Sequence, residues 1–366
     1  MKKRVGLIFG GKSAEHEVSL QSAKNVLEAI DKDKYEVLLI GIDKEGKWHM
    51  HDSSHFLLNA EDPKLIALNK TNEGVAFVPG ETQNKLVKTD GKSALGEWDV
   101  IFRILHGTLG EDGSIQGMLR VAEIPFVGSS VLGSAVSMDK DIAKRLLRVA
   151  GLKVADSYTF TRATRENISF EDIEKSLGLP LFIKPANQGS SVGVSKVESK
   201  EEFNAAVTEA FKYDHKILIE EAIRGREIEC SILGNEYPKA SIPGEIIAVN
   251  DFYSYEAKYI DEHGATLQIP AELNEKQVKE IQDVAIQAFQ ALNCEGMARV
   301  DVFLTEADEI IINEINTIPG FTKISMYPKL WEHSGISYSD LIDQLIQLAI
   351  ERHERDSALE SSFEAE

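Results

Sequence analysis

Apolar and polar positions in the first part of the chain alternate between short apolar runs and one amphipathic segment. The runs from Arg4 to Phe9 and from Tyr35 to Asp43 are typical of buried strands. Between them, the segment from Val18 to Ile30 repeats apolar residues at helical spacing. Because strand–helix–strand units of this kind build parallel sheets, the pattern predicts an α/β fold for the N-terminal part.

Regular patterning returns after a polar, turn-rich stretch from residue 46 to residue 98. The segments from Asp99 to Leu105 and from Ile124 to Val127 are predicted strands, and helical spacing predicts a helix from Asp139 to Ala150. Small, loop-like residues from Gly128 to Gly133 separate these elements. We therefore predict a domain boundary near Gly128.

Strands and helices follow each other through the rest of the chain. The runs from Met297 to Leu304 and from Glu309 to Ile315 are separated by a short polar turn, which predicts an antiparallel hairpin. Asn274 is placed to cap a helix that ends near Leu292. We predict an α/β protein, α+β in its C-terminal part, with domains at residues 1–128, 129–219 and 220–366. Further predicted elements are the strands His215 to Glu221 and Glu227 to Leu233 and the helices Glu202 to Phe211 and Ser339 to His353.

Composition and charge restrict the partners of the protein. Of the 366 residues, 43% are hydrophobic, which is enough for several packed cores, and the formal net charge is −20. That charge argues against a nucleic-acid or anionic membrane partner, because nothing offsets the repulsion. Cys230 and Cys294 lie in apolar surroundings and are typical of reduced thiols. Since no apolar run approaches the about 20 residues of a membrane helix, we expect a cytoplasmic protein.

A loop of small residues follows the predicted strand from Leu181 to Ile183. The residues from Gly189 to Gly193 allow the backbone to approach an anion closely and to point its N–H groups at it. Lys184 beside the loop adds a positive charge suited to phosphate. Lys140 stands at a predicted helix start, where anions are favoured, and this suggests that it also reaches a phosphate. The alternative is a flexible hairpin loop without a ligand.

Two residues at the ends of predicted N-terminal strands are candidate ligand contacts. Glu15 follows the first strand and its turn, and His106 ends the strand that begins at Asp99. Open α/β sheets bind their ligands at this edge. The alternatives are favourable helix-start electrostatics for Glu15 and a structural role for His106.

The same region also satisfies the phosphate-loop pattern of P-loop nucleotidases. Gly6, Gly11, Lys12 and Ser13 have the required spacing. However, that motif needs its first glycine after the strand, and Gly6 lies inside it. We therefore reject a P-loop that uses Lys12.

Oxygen-bearing side chains converge on the predicted C-terminal hairpin. Glu314 and Asn316 lie two residues apart and share one face of the second strand, and the hairpin brings Asp301 roughly opposite. Such ligands suit Mg²⁺, which prefers carboxylates, phosphate oxygens and water. Arg299 shares the face of Asp301, so the alternative is a structural cluster of ion pairs.

These features together describe an ATP site that is not a P-loop, and the chain resembles the D-alanine:D-alanine ligase family of the ATP-grasp superfamily. The resemblance covers essentially the whole length and rests on seven motifs in order. They are GGKSAEHEVS, HGTLGEDGSIQG, MDK, FIKPANQGSSVGVSKV, YEAKY, GMARVDVFL and NEINTIPGFTKISMYP.

The resemblance implies an ATP-grasp fold and a set of nucleotide contacts. Lys140 and Lys184 are expected to bind the ATP phosphates beneath the glycine–serine loop. Asp301, Glu314 and Asn316 are expected to hold two Mg²⁺ ions, with Mn²⁺ as a substitute. The remaining implied ATP contacts are Gly189, Ser190, Ser191, Val192, Gly193, Lys258 and Asn313, with Glu220, Glu221 and Ala222 at the adenine and Glu227 at the ribose.

The resemblance also implies contacts to two D-alanine molecules. Glu15 is expected to hold the ammonium of the first and to connect through Ser190 to Tyr259, which lies in an irregular segment predicted to be a lid. His106 is expected to contact substrate. The other implied contacts are Arg299 and the amide of Gly320 at the developing oxyanion, and Ser325 with the amide of Met326 at the second carboxylate.

The implied reaction is ATP-dependent joining of two D-alanine molecules through an acyl phosphate, for peptidoglycan precursor synthesis. A homodimer is the expected assembly. A ligase that joins D-alanine to D-lactate is an alternative, as is a nucleotide-binding regulator without catalysis. Arg103 departs from the family pattern, where proline is expected, and this makes the position of nearby His106 the least secure of these expectations.

Overall fold

The computed structural model describes residues 2–71, 73–81, 85–90, 95–248 and 265–360. Within these residues the strands are β1 (Lys3–Gly10), β2 (Tyr35–Ile42), β3 (Trp48–His51), β4 (Leu57–Leu58), β5 (Ala67–Leu68), β6 (Val75–Phe77), β7 (Leu86–Lys88), β8 (Val100–Arg103), β9 (Ser157–Thr161), β10 (Leu181–Pro185), β11 (Ser195–Val197), β12 (Lys216–Glu221), β13 (Arg226–Gly234), β14 (Lys239–Ala240), β15 (Gly244–Ala248), β16 (Ala265–Gln268), β17 (Gly296–Leu304) and β18 (Ile310–Asn316). The helices are α1 (His16–Ala29), α2 (Ser114–Val121), α3 (Val131–Met138), α4 (Lys140–Val149), α5 (Phe170–Leu177), α6 (Lys200–Tyr213), α7 (Glu275–Ala291), α8 (Met326–His333) and α9 (Tyr338–Ser357), with a 3-10 turn at Arg162–Asn167.

The N-terminal sheet has the strand order β3-β2-β1-β8. The strand β1 runs parallel to both β2 and β8, as the strand–helix–strand pattern predicts, and β3 adds antiparallel to β2. Gly6 lies in the middle of β1, where a Cβ atom would come within 2.1 Å of the Trp98 ring. Close packing against Trp98 therefore explains this glycine, and Gly6 lies inside β1 and not after it, where the first glycine of a P-loop is required.

The central sheet has the order β11-β10-β12-β9, and all its neighbouring strands are antiparallel. Its apolar face packs against α6 through buried Phe203, Ala206 and Phe211. The glycine–serine loop connects β10 to β11 at one end of this sheet. The sheet thus holds both ends of that loop in a fixed register.

The C-terminal sheet has the order β16-β15-β13-β17-β18, with β14 pairing β13. The strands β17 and β18 are antiparallel, which confirms the predicted hairpin. Asn274 caps α7 through its side chain, also as predicted. The core on the helix side of the sheet includes Ala143 and Leu147 of α4, so α4 packs on this sheet.

One hydrophobic core connects the two ends of the chain. It contains Val5 and Phe102 of the N-terminal sheet together with Tyr327, Leu341 and Leu345 from the last two helices. The apolar stripe of α9 explains this, since its buried positions recur at helical spacing. Among the residues described, none of the helices combines the length and apolar character needed to cross a bilayer.

Three predictions about local structure were wrong. Phe126 makes an isolated bridge to Ile101, and Ile124 to Val127 is not a strand. Residues 131–138, expected to begin in a loop, form α3. The small and polar residues from Asn316 to Tyr327 predict a loop over that whole segment, but α8 begins at Met326. In each case tertiary packing decides, because the side chains involved are buried: Phe126, Val127, Ser134, Met138, Met326 and Tyr327.

Candidate active site

A cavity of about 530 Å³ lies between the central and C-terminal sheets. Lys140 and Lys184 line one part of it, and Glu314 lines another. The other expected ATP contacts that line it are Gly189, Ser190, Ser191, Glu220, Glu221, Ala222, Glu227 and Asn313. Val192 and Gly193 belong to the same loop but do not line the cavity. Lys258 and Tyr259 lie outside the described residues, as does the expected lid around them.

The glycine–serine loop has the geometry of a ligand-binding turn. Ser190 and Ser191 have φ angles of 52° and 60°, in the left-handed region that side chains rarely adopt. The ammonium of Lys140 donates to the carbonyl of Gln188 at 2.7 Å and holds the start of the loop against α4. Asn187 anchors the same end, since its backbone and side-chain nitrogens both donate to Asp214.

Three charged side chains lie together below the loop: Lys184 and Glu220 line the cavity, and Lys144 lies buried behind them. The Glu220 carboxylate lies 2.6 Å from the Lys184 ammonium and 3.2 Å from that of Lys144. Burial alone would raise the pKa of Glu220, but the two ammonium groups outweigh it and lower that pKa below its ordinary value. The Glu220 carboxylate is therefore ionised, and Lys144 is a site residue that the sequence reasoning missed.

The candidate metal ligands lie in register on β17 and β18. Asp301 pairs with Glu314 and Arg299 pairs with Asn316, after a register shift between Asp301 and Val302 that displaces the pairing by one residue. Arg299 donates two hydrogen bonds to Asp301, both at 2.7 Å, and also lies 2.9 Å from Glu229. The Glu314 carboxylate lies 3.5 Å from the ammonium of Lys140. The expected ion-pair cluster is thus present around the same oxygen atoms.

These residues fit a divalent ion that also binds phosphate. No three His, Cys, Asp or Glu side chains in the described ranges are placed to hold a metal alone. The set has two carboxylates and one amide, and Asn316 donates to Asp301 through its nitrogen, which leaves the amide oxygen available. Mg²⁺ binds in this way, through few carboxylates and with phosphate oxygens completing its shell.

Glu15 lies where the N-terminal sheet meets the glycine–serine loop. The carboxylate is 6% exposed and accepts a hydrogen bond from the Ser190 hydroxyl. It also lies close to the backbone at Gly107 and at Gly189. A Cβ atom on Gly107 would lie 2.6 Å from Glu15 Oε2, and a Cβ atom on Gly189 would lie 3.0 Å from the same oxygen. The structure thus brings Glu15 and Ser190 together, and both glycines are required by this close approach.

His106 is buried, and both of its ring nitrogens are used within the protein. Nδ1 lies 3.0 Å from the carbonyl of Ile318, which can only accept, so this nitrogen carries the proton. Nε2 then accepts from the Ser22 hydroxyl at 3.2 Å. Burial lowers the pKa of His106 to about 4, so the ring is neutral. Its role as a substrate contact remains a prediction.

Glu111 is a second carboxylate at this edge that the sequence reasoning missed. It accepts from the amide of Gly107 at 2.8 Å and from that of Ile318 at 3.2 Å. Burial, followed by the charge of Glu15, raises its pKa to about 8. Its position inside HGTLGEDGSIQG, next to the glycine turn after β8, was the available signal.

The segment that leads into α8 presents a helix N-terminus. Ser325 stands at the start of α8, directly before buried Met326, and its hydroxyl accepts from the amide of Thr322 at 2.9 Å. Gly320 lies against this hydroxyl, since a Cβ atom there would come within 2.7 Å of it. Amide groups at such a terminus favour a carboxylate ligand.

Arg103, the departure from the family pattern, is held by contacts inside the protein. It is fully buried and donates to the carbonyls of Gly110 at 3.1 Å and Ser129 at 2.9 Å. Its guanidinium lies 5.6 Å from the centre of the Phe126 ring, and that of Arg352 lies 4.4 Å from the same ring. The unexpected arginine therefore connects β8 to the segment after Phe126.

One cavity is lined by two lysines and a phosphate-binding type of loop from an antiparallel sheet, and by a hairpin that carries carboxylates. This arrangement defines an ATP-grasp enzyme. Models of the D-ala D-ala ligase N-terminus and C-terminus match residues 4–129 and 146–347. The chain belongs to the D-alanine–D-alanine ligase family and is an ATP-dependent ligase.

Individual relatives cover nearly the whole chain. A D-alanine–D-alanine ligase from Oceanobacillus iheyensis is 68% identical over 362 residues, which cover 99% of each chain. One from Shouchella clausii is 69% identical over 361 residues, covering 99% of this chain and 98% of that protein.

Solved structures agree with this fold. The VanG D-Ala:D-Ser ligase from Enterococcus faecalis has a TM-score of 0.84 at 38% identity and covers 95% of this chain and 100% of its own. A D-alanine–D-alanine ligase from Bacillus anthracis complexed with ATP has a TM-score of 0.72 at 27% identity, with 97% and 99% covered.

Proposed function

We propose that this protein joins two D-alanine molecules to D-alanyl-D-alanine, with ATP converted to ADP and phosphate, and so supplies peptidoglycan precursor synthesis. The observation that carries the proposal is the convergence of Lys140, Lys184, the glycine–serine loop and Glu314 on one cavity. Glu15 lies on the other side of the same loop. A nucleotide and a small ammonium-bearing substrate can therefore meet at Ser190.

ATP binds between the two antiparallel sheets. Lys140 and Lys184 contact its phosphates, and the amides of Gly189 to Gly193 cover them. Glu220 to Ala222 meet the adenine and Glu227 the ribose, while Asn313 and Lys258 complete the set. The support is the shared cavity, which the residues of this set within the described ranges line, apart from Val192 and Gly193. Lys258 lies outside the described residues.

Asp301, Glu314 and Asn316 hold Mg²⁺ in this proposal, and Mn²⁺ can take its place. When bound, the ion supplies positive charge to the phosphate oxygens. The chain's own contribution is to hold these three side chains close together on one hairpin, where Glu314 lines the cavity. Arg299 orients Asp301 through its two hydrogen bonds.

The first D-alanine is held by its ammonium at Glu15, with His106 beside it. Its carboxylate attacks the γ-phosphoryl group of ATP, the bond from the γ-phosphorus to the bridging oxygen breaks, and an acyl phosphate and ADP form, while Lys140 and Lys184 balance the charge. Tyr259 and the segment around it exclude water, which would otherwise hydrolyse that intermediate.

The second D-alanine is held by its carboxylate at Ser325 and the amide of Met326. Its deprotonated amine attacks the acyl phosphate, Arg299 and the amide of Gly320 stabilise the oxyanion, and phosphate leaves. From the family resemblance we also infer a cytoplasmic homodimer that binds neither nucleic acid nor membrane.

Phosphate release with ATP and Mg²⁺ tests the proposal across a panel of D-alanine, L-alanine, D-serine and D-lactate. We expect release with D-alanine and formation of the dipeptide. The panel includes D-serine because one structural relative is a D-Ala:D-Ser ligase. Activity with L-alanine or with D-lactate, but not with D-alanine as the second substrate, would overturn the substrate assignment.

A matched pair of lysine variants tests the nucleotide site. Lys184→Ala is expected to abolish ATP binding, whereas Lys12→Ala is expected to leave it within about threefold, because Lys12 lines a different cavity. The reverse result would support a P-loop. ATP binding without any D-alanine-dependent phosphate release would instead indicate a regulator without catalysis.

A further inference from the structure

Lys144 lies one helical turn after Lys140 on α4 but, unlike Lys140, is not among the residues that line the ATP cavity. Its side chain is buried, with 3% of the residue exposed. The ammonium lies 3.2 Å from Glu220 Oε1, which is its one ion-pair contact among the described residues, and it makes no hydrogen bond to any of them. Burying a lysine ammonium costs free energy, so the presence of this charged group in the interior needs an explanation.

The charges around Glu220 are unequal in number. Two ammonium groups, those of Lys144 and Lys184, face one carboxylate. Each takes a different oxygen atom: Oε1 faces Lys144 and Oε2 faces Lys184. The group of three therefore carries one net positive charge, and Lys184 is the member that lines the cavity.

Removal of Lys144 would leave Lys184 as the single counter-ion of a buried carboxylate. A buried carboxylate that loses its last partner is strongly disfavoured, so Lys184 would then be held at Glu220. With Lys144 in place, Glu220 keeps a counter-ion when Lys184 turns towards an anion. The phosphate of a nucleotide is such an anion.

We propose that Lys144 is a positioning residue that neutralises Glu220 and thereby makes the ammonium of Lys184 available to the ATP phosphates. The inference rests on the proposed function, since it assigns a supporting residue to the same nucleotide site. Lys144 itself does not contact the nucleotide. Lys144 affects nucleotide binding through its ion pair with Glu220.

Calorimetric binding of the ATP analogue AMP-PNP with Mg²⁺, without D-alanine, tests this. Lys144→Met is expected to weaken binding about tenfold, whereas Lys144→Arg, which retains the charge, stays within about threefold. Arg145→Met is the matched control, because Arg145 is the next residue of α4, is largely exposed and pairs with Asp141. It is expected to bind as the unaltered protein does.

A double-mutant cycle separates this role from a structural one. In the Glu220→Gln background no buried carboxylate requires a counter-ion, so Lys144→Met is expected to change AMP-PNP affinity by less than about threefold. In steady-state assays, Lys144→Met is expected to raise KM for ATP more than it lowers kcat.

Three results would overturn the proposal. They are an equal loss in both backgrounds, an Arg variant as weak as the Met variant, or a lowered melting temperature with unchanged affinity. Failure of the D-alanine panel alone would leave these binding results interpretable. If the unaltered protein bound no AMP-PNP, the proposed function itself would fail.

Discussion

Glu111 and Glu15 lie on either side of the backbone of Gly107, and this residue-scale arrangement has a chemical consequence. Glu111 accepts the amide hydrogen of Gly107, and Glu15 Oε2 approaches the Cα of the same residue. Two carboxylates in a buried setting resist double ionisation, so one of them retains a proton. A substrate ammonium bound at Glu15 would offset the negative charge of Glu15 that raises the pKa of Glu111.

Binding of D-alanine is therefore expected to release protons at pH 7. The pKa of Glu111 in the free protein is raised to about 8, so its carboxyl is protonated at that pH. A bound ammonium favours the carboxylate and lowers this pKa, so that up to about one proton per site enters the buffer. Titration calorimetry in phosphate and in Tris, which differ in ionisation enthalpy, measures the released protons.

Glu111→Gln is the control for this measurement. It keeps the size of the side chain and one acceptor for the amide hydrogens but has no proton to release. Equal binding heats in the two buffers for the unaltered protein would contradict the assignment of the proton to Glu111.

At the scale of elements, the start of α7 shows how local sequence positions a helix. Asn274 accepts from the amide of Gln277 at 2.9 Å, and the Gln277 side chain accepts from the amide of Asn274 at 3.0 Å. The reciprocal pair satisfies two amides that a helix start leaves without partners. This helix covers the sheet that carries Asp301, so its start bears on the site.

Asn274→Ala is expected to lower the free energy of unfolding by about 1 kcal/mol, because the cap hydrogen bond is lost at an exposed position. Urea unfolding followed by circular dichroism measures the change. Asn274→Gly should cost only a few tenths of a kcal/mol. An alanine variant as stable as the parent would show that the cap contributes nothing here.

The hydrophobic cores of the molecule differ in which elements they join. The core that includes Val5 and Leu345 joins the N-terminal sheet to α9, whereas the core around Phe203 is confined to the central sheet and its helices. All three tryptophans of the chain, Trp48, Trp98 and Trp331, lie outside residues 129–219. Their fluorescence therefore reports on the two ends of the chain and not on the central sheet.

Leu345→Ala and Phe203→Ala are expected to act on different unfolding transitions. Leu345→Ala removes buried volume from the shared core and should lower the stability seen by tryptophan fluorescence by about 2–5 kcal/mol. Phe203→Ala should shift part of the far-ultraviolet circular dichroism transition while fluorescence changes little. Coincident shifts in both probes for both variants would indicate one cooperative unit.

Much of the fold and part of the site could be predicted from sequence because their causes are local. The apolar patterns of β17 and β18 and the short turn between them determine the hairpin, whereas a register shift next to Asp301 decides that this residue faces Glu314. The apolar runs of β1 and β2 with α1 between them determine the parallel sheet. The resemblance to a ligase family then assigned roles to residues such as Glu15 and Lys184.

Tertiary structure alone decided the contacts between distant segments. The residues next to Lys144 in the sequence do not indicate that it faces Glu220. Those next to Glu111 do not indicate that Glu15 lies close enough to affect its pKa. In the sequence, Arg103 interrupts the apolar pattern of a predicted strand. In the structure it is buried and donates hydrogen bonds to carbonyl groups in two loops. Patterns of apolar spacing specify which side of an element is buried, but the partner of a buried charge depends on how the elements pack.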